Sequence, residues 1–527
     1  MKNYFIITIR TLVVFLCLSS CNEDLLETLP NDRLSADIFW KTENDAKLAV
    51  NAIYTSLDAV NILSWDALSD IAHTNQLINS PIFIELGTYD VANAKVLSEW
   101  TEAYRGIRTA NYFLENVDKV PSTNTAFIDR LKGEARVIRA YHYIKLAGFF
   151  GGVPLVTKSL TLDEARIVTR TPVAEIWDFI DKELEESAAL LPATYPAEDK
   201  GRVTKGAAWA LKARTDLWAG RYQLAIDAAN NVQGYSLYNS YENLFKYVAE
   251  NNAEVILDRQ SIQNNPQLQT NVFSTLAPFS QRNSSSLYVP TRALVDMYET
   301  ADGKKISDPT SGYDPANPYV NRDPRLRFSI FADGDPLPSG AIFLPAPNSG
   351  GPDAIGATFV NSTTGFNIKK YINNGDFATP FNSGINIILV RYAEVLLTLA
   401  EAKIELNQLD ASVYAAIDMV RNGRDDVNLP SITPGLSQDE LREIVRQERT
   451  IELAFEGLHL FDLRRWKTAE IVMPGPVLGM SYLDNGQLTT VSVTGANRSF
   501  DKSRHYLWPI PQNERNLNPN LSQNPGW

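Results

Sequence analysis

The chain has 527 residues and a formal net charge of −13, with 49 lysines and arginines against 62 aspartates and glutamates. An acidic chain with no lysine- or arginine-rich block excludes the electrostatic footprint of a nucleic-acid binder. Its two cysteines, Cys17 and Cys21, lie near the N-terminus, so the body has no disulfide framework and is held by ordinary core burial.

The N-terminus reads as a targeting signal. Lys2 and Arg10 supply positive charge, and Leu12 to Leu18 is an apolar run too short to span a membrane. Leu18-Ser19-Ser20-Cys21 then resembles a bacterial lipobox, in which Cys21 is acylated and becomes the mature N-terminus. On that reading residues 1–20 are a signal peptide and 21–41 a lipidated tether. The mature body keeps no free thiol, which excludes cysteine catalysis and thiolate metal sites. No later segment carries the roughly 18 apolar residues of a spanning helix.

The body begins with a capping box at Thr42-Glu43-Asn44-Asp45, followed by Ala46, Ala49, Ile53, Leu57 and Val60 on one helical face. From Asn61 to Ser98 the pattern is irregular. Helical spacing returns from about Glu99 to Val117, from Phe127 to Phe149, and from Pro172 to Leu191. Gly151, Gly152 and Pro154 end the second of these. Thr204 to Val232 reads as a helical hairpin with small residues facing each other and a turn at Gly220. Arg391 to Val420 repeats the theme. Both resemble the tetratricopeptide hairpin, but the spacing is not a strict repeat, so the expectation is a helical stack with insertions.

Between these hairpins, residues 260–387 change texture: Asn, Ser, Gly and Pro dominate, and no tryptophan occurs between Trp218 and Trp466. Long irregular stretches inside a compact body are usually functional. The division expected is 42–259 helical, 260–387 variable and loop-rich, and 388–527 helical with a proline-rich tail packed across the stack. Ser437 to Trp466 is expected as a helix opened by a capping box of Ser437 and Glu440. Its apolar stripe carries Glu448, with Arg446, Arg449, Arg464 and Arg465 as candidate partners. A carboxylate in that setting is either a catalytic acid or a structural ion pair.

Several local patterns, in this order, resemble the SusD/RagB family, the lipid-anchored glycan- or nutrient-binding proteins of Bacteroidetes outer membranes. They include Trp100 to Asn111, Phe150-Gly151-Gly152-Val153-Pro154, Arg322-Asp323-Pro324-Arg325, and Arg391-Tyr392-Ala393-Glu394. They continue through Val420 to Arg424, Glu448-Arg449, Glu456-Gly457, Asp462 to Trp466, and Trp508-Pro509-Ile510-Pro511. The resemblance implies a mostly α-helical fold of tetratricopeptide-like hairpins, a SusD-like α-α superhelix, with a variable loop-rich subregion. It implies a protein seated over a SusC-like TonB-dependent outer-membrane transporter, capturing oligosaccharides, or in some members peptides, without performing chemistry. Under it, Asn22-Glu23-Asp24 after the cysteine resembles the surface-export signal of such lipoproteins, which places the body outside the cell. It also makes Glu448 a scaffold residue, in charge pairs with neighbouring hairpins and the tail.

Sugar recognition needs flat apolar faces for the rings and planar polar groups for the hydroxyls. Trp100, Trp177, Trp209, Trp218 and Trp466 lie on helical faces and are expected in the core. Trp65 lies in an irregular stretch with Asp70, Asn75 and Tyr89 after it, and these four are ligand-contact candidates. Arg282 and Tyr288 are candidates from the variable region, with Phe279, Tyr319, Phe343 and Phe381 as further possibilities. No catalytic residue and no cofactor is expected. The four histidines, His73, His142, His459 and His505, are not at metal-ligand spacing, and Asp302-Gly303 and Asp333-Gly334-Asp335 read as turns. A glycoside hydrolase is the competing reading, since it needs only two suitably spaced carboxylates.

Overall fold

The computed structural model describes residues 39–76 and 80–527. Cys21 and the lipobox lie outside the described residues.

Ten helices set the frame. Helix α1 spans Glu43–Tyr54, and its expected capping box is formed by Thr42 and Asp45. Helix α2 spans Ala94–Asn116 and α3 spans Thr125–Phe150, each started by an asparagine cap, Asn93 and Asn124. Gly151 ends α3 at φ +71°, a conformation that L side chains rarely adopt. Helices α4 (Val173–Leu190), α5 (Lys205–Trp218) and α6 (Tyr222–Asn230) follow. Later come α7 (Tyr392–Glu405), α8 (Ala411–Asn422), α9 (Gln438–Glu452) and α10 (His459–Trp466).

From α2 to α8 each helix packs against the next, and α9 packs on α7. The order holds even between α6 and α7, which the whole variable stretch separates in sequence. Small residues allow these approaches. A Cβ added to Gly106 of α2 would sit 2.1 Å from Nε2 of His142 on α3. That imidazole is fully buried and hydrogen-bonds Ser56 Oγ at 2.9 Å, and burial drives it well below the usual histidine range.

The variable stretch leaves and re-enters the stack through paired strands. Strand β2 (Val255–Arg259) runs antiparallel to β6 (Ile387–Arg391), pairing Val255 with Arg391 and Arg259 with Ile387. Inside this clasp, β3 (Tyr288–Pro290) pairs with β1 (Ala72–Thr74), and β4 (Ile330–Phe331) pairs with β5 (Asn367–Ile368). A further hairpin, β7 (Gly475–Asp484) and β8 (Gln487–Arg498), turns at Asn485 and Gly486 with φ +50° and +82°. That Asn-Gly pair is the local signal for a tight hairpin turn, a hairpin not among the elements expected above.

The proline-rich tail crosses the stack as expected. The Trp508 N–H donates to the carbonyl of Phe149 at 2.8 Å, and its ring stacks on Phe149 at 4.1 Å. Asn524 Nδ2 donates to the carbonyls of Phe150 and Trp508.

The stretch from Ser437 to Trp466 is two helices rather than one. Its capping box forms, but α9 stops at Glu452, and the chain turns through Phe455 and Gly457 at φ +65° and +77°. Asp66 explains the break. Its carboxylate accepts the N–H of Gly457 at 2.9 Å and of His459 at 3.2 Å, seating the first turn of α10. Burial pushes this carboxyl up to about 6. Gly457 is also needed sterically, since a Cβ there would meet Ile62 and Trp65 at 2.9 Å.

Candidate functional site

Glu448 and Glu452 of α9 and Glu456 of the turn after it form a buried charged cluster. Glu448 accepts from Arg325 Nη1 at 2.5 Å and Arg421 Nη1 at 3.0 Å. Glu452 accepts from Arg391 at 2.6 Å and pairs with Arg424 and Arg325 at 2.9 Å each. Glu456 is held by Arg391 at 2.7 Å and Lys370 at 2.9 Å. Burial by itself raises the Glu452 carboxyl, but Arg424, Arg391 and Arg325 hold it well below the usual carboxylate range. Burial pulls Lys370 down to about 8 despite Glu456.

The partners therefore differ from those expected. Arg325 and Lys370 come from the variable stretch, Arg391 from β6, and Arg421 and the segment after it from the end of α8. Arg449 instead pairs with Asp462 at 2.8 Å, Arg465 with Glu401 at 2.6 Å, and Arg446 with Glu405 at 3.5 Å. Arg464 donates to the carbonyl of Gly148 and lies over the ring of Trp508, so the contact with the tail runs through α10 rather than through the α9 carboxylates. The cluster ties the variable stretch to the helical stack. With its carboxylates buried and saturated by cations, it offers no free acid or base.

Three residues expected at a ligand lie in the core. Trp65 is 6% exposed, with its ring edge-to-face against Phe149 at 5.5 Å and Phe461 at 5.8 Å. Its indole N–H donates to Glu99 at 2.8 Å. Asp70 Oδ1 is 2.8 Å from His459 Nε2. Tyr89 packs on Trp527 at 4.7 Å and His505 at 5.3 Å, and burial raises its hydroxyl. All three are buried, with at most 6% of their surface exposed. Tyr288 is half-buried in β3 with its hydroxyl toward Ser64, pushed up to about 12 by burial. Phe343 is fully buried, and Tyr319 lies half-buried under Arg327.

Asn75 and Arg282 belong to a different setting. Asn75 is buried, yet every polar atom of its side chain organises a surface loop. Its Nδ2 donates to the carbonyls of Val360 and Asn361, and its Oδ1 accepts from the N–H and hydroxyl of Thr363. Its own N–H donates to the carbonyl of Leu287. Asn361 in turn donates to the carbonyls of Pro352 and Ala354. Asp353 accepts the N–H and hydroxyl of Ser280 at 2.9 and 2.6 Å. One hydrogen-bonded web thus joins the segment after β1, the loop 278–287 and the loop 352–363.

Side chains at the edge of this web are open. Arg282 is exposed, with its guanidinium 5.0 Å from the ring centre of Phe377. Phe359, in the loop 352–363, is 81% exposed. Arg282, Asn283 and Ser286 all have positive φ, at +58°, +58° and +41°, conformations costly for non-glycine residues that cluster at binding sites. The loops of this web thus carry a guanidinium fork beside one ring, Phe377, and a second exposed ring, Phe359, groups suited to sugar hydroxyls and rings. Asp353 spends both oxygens on Ser280, so it is not poised as a catalytic acid. Among the described residues no group of three or more His, Cys, Asp or Glu could hold a metal ion. Phe359 and Phe377 carry no helical or strand periodicity around them, so the sequence offers no signal that singles them out.

Comparison with known proteins places this architecture. The family model described as "SusD family" matches residues 253–527, and that described as "Starch-binding associating with outer membrane" matches residues 29–217. The chain belongs to the SusD family, and its mostly helical fold is that of solved SusD-like proteins. A SusD-like carbohydrate-binding protein from Bacteroides fragilis superposes with a TM-score of 0.85 at 30% identity, over 92% of this chain and 100% of that one. SusD-like protein P25 of Formosa agariphila is 24% identical over 98% of this chain and 97% of its own. Surface glycan-binding protein A from Bacteroides thetaiotaomicron, solved with laminarihexaose, shares the fold at a TM-score of 0.70 and 20% identity, over 92% and 100% of the two chains.

Proposed function

We propose that this protein is a cell-surface glycan-binding lipoprotein, anchored in the outer membrane through Cys21 and facing outward. It captures oligosaccharides and passes them to a SusC-like TonB-dependent transporter, performing no chemistry itself. Family membership supports this role, as does the likeness to a carbohydrate-binding relative over nearly the whole chain. The observation that carries the ligand reading is the web organised by Asn75, with exposed Arg282 and Phe359 on its loops and Phe377 beneath the guanidinium. Phenylalanine faces stack on the sugar rings, the guanidinium donates to hydroxyls, and Asn75 positions the loops without touching ligand.

The test is a binding screen by calorimetry over neutral and acidic oligosaccharides and over peptides. At least one saccharide class should bind. Arg282→Ala and Phe359→Ala should each weaken that binding about tenfold or more, the loss typical of a well-placed contact, with melting temperature unchanged. Retention of peptides with no saccharide bound would move the substrate class to peptides. Hydrolysis of a labelled oligosaccharide by purified protein would overturn the non-catalytic role.

A further inference from the structure

A second candidate site lies on the helical stack, apart from the loop web. Ala188, Ala189 and Ala193 at the end of α4 and Gly206 at the start of α5 line a groove of 960 Å³. Small residues account for the space, since none fills the gap between the helices. One wall is braced near Gly206, where Tyr235 packs so closely that a Cβ would lie 2.4 Å from its ring. The Tyr235 hydroxyl is 2.7 Å from Oγ1 of Thr204, the residue that caps α5.

Into this groove α5 presents Trp209. The sequence placed that indole in the core, but the structure leaves it half-buried, with part of its surface against the core and part lining the groove. The indole N–H has no hydrogen-bond partner among the described residues. Around it stand Asn231 and Gln233, whose amides donate and accept in one plane, and Asp181, Glu185 and Lys205. Several of the groove's charges are already paired: Asp181 with Lys212, Glu186 with Arg136, and Asp178 with Arg221 at 2.5 Å. Glu185 is 63% exposed on its side chain and has only Lys212 at 3.9 Å.

We infer that this groove is a second glycan subsite, with Trp209 as its stacking platform and Asn231, Gln233 and Glu185 as hydroxyl partners. A flat aromatic face beside planar amides and a carboxylate in an open groove is the chemistry that sugar rings require. With Asp181, Glu186 and Asp178 paired to Lys212, Arg136 and Arg221, Glu185 faces Lys182 and Lys205, so the groove has no strong excess of either charge and the ligand assigned to it is a neutral oligosaccharide. The inference rests on the glycan-binding role and extends it. Two subsites on one chain make the second engagement with a polymer intramolecular, which raises avidity without any new contact.

The experiment is calorimetry with laminarihexaose, maltohexaose and cellohexaose, and with the parent polymers, on the wild type, Trp209→Ala and Arg282→Ala. Melting temperatures establish that each variant is folded, and Trp209→Leu, which keeps apolar volume without an aromatic face, replaces Trp209→Ala if the latter is not. The wild type should bind two equivalents of a hexasaccharide. Trp209→Ala should bind one and hold the polymer at least tenfold more weakly, and Arg282→Ala should keep the one equivalent that Trp209→Ala loses. A single equivalent in the wild type, unchanged in Trp209→Ala and lost in Arg282→Ala, would overturn the second subsite and leave the glycan-binding role standing. Absence of binding to any saccharide by the wild type would remove both.

Discussion

Glu452→Gln is expected to lower folding stability by about 3–5 kcal/mol, the usual result of removing one partner from a buried ion pair. The substitution keeps the shape of the side chain, removes its charge and turns one acceptor oxygen into an amide donor facing guanidinium donors. Arg391, Arg424 and Arg325 then lose the carboxylate that faces all three at 2.6 to 2.9 Å. Of their remaining acids, Glu254 is shared between Arg391 and Arg424, Glu456 with Lys370 and Glu448 with Arg421, which leaves Asp323 on Arg325 as the one unshared pair among the described residues. Because Arg325 comes from the variable stretch and Arg391 from the strand that closes it, the loss loosens the clasp as well as the core. Urea unfolding of both proteins measures the difference, and an unchanged midpoint would show that the cluster is dispensable.

Acid acts on the same cluster. Glu452 and Glu456 are both held below their ordinary values, because the neighbouring cations outweigh the opposing effect of burial. A carboxyl depressed in the folded state contributes stability above its unfolded value, near pH 4.3, and that contribution is lost as pH falls toward the folded value. The wild type should therefore lose stability steeply below about pH 4.5, and Glu452→Gln should show a shallower dependence there.

The second large effect is expected at Trp65. Replacing it with alanine should cost about 3–5 kcal/mol, as is usual for a large buried aromatic. The loss has two parts. Two edge-to-face contacts disappear, with Phe149 and Phe461, rings that belong to α3 and α10. Glu99 also loses the indole donor, although Lys95 remains at 2.7 Å and Lys145 at 3.3 Å. Trp65→Phe should cost less, because it keeps apolar volume against both rings. In the folded fraction, affinity for oligosaccharide should match the wild type. A Trp65→Ala protein that melts normally but no longer binds glycan would return this residue to the ligand site.

Trp65 shows why residue type alone misled. A tryptophan outside helical periodicity, followed by Asp and Asn, looks the same in sequence whether it meets a ligand or fills a core. What buries it is α10, which arrives from almost four hundred residues further along and is positioned by Asp66, its own neighbour. The reverse holds for Trp209. Its helical spacing suggested burial, but small residues across from it on α4 left the ring at the edge of a groove.

The sequence by itself determined the helical stack, the capping boxes at Thr42 and Ser437, the change of texture that marks the variable stretch, and the family. These depend on rules that act within a few residues: periodicity, caps, and glycine or proline punctuation. The Asn485-Gly486 turn obeys such a rule too and was legible. Only the tertiary structure decided which arginines meet Glu448, where the helix from Ser437 breaks, and that Asn75 joins three distant loops into one surface. Each of these rests on contacts between segments remote in sequence, made by side chains whose local environment says nothing of their partner. The fold was therefore readable from the chain, while which side chains are buried and which reach the surface was decided by how the chain returns on itself.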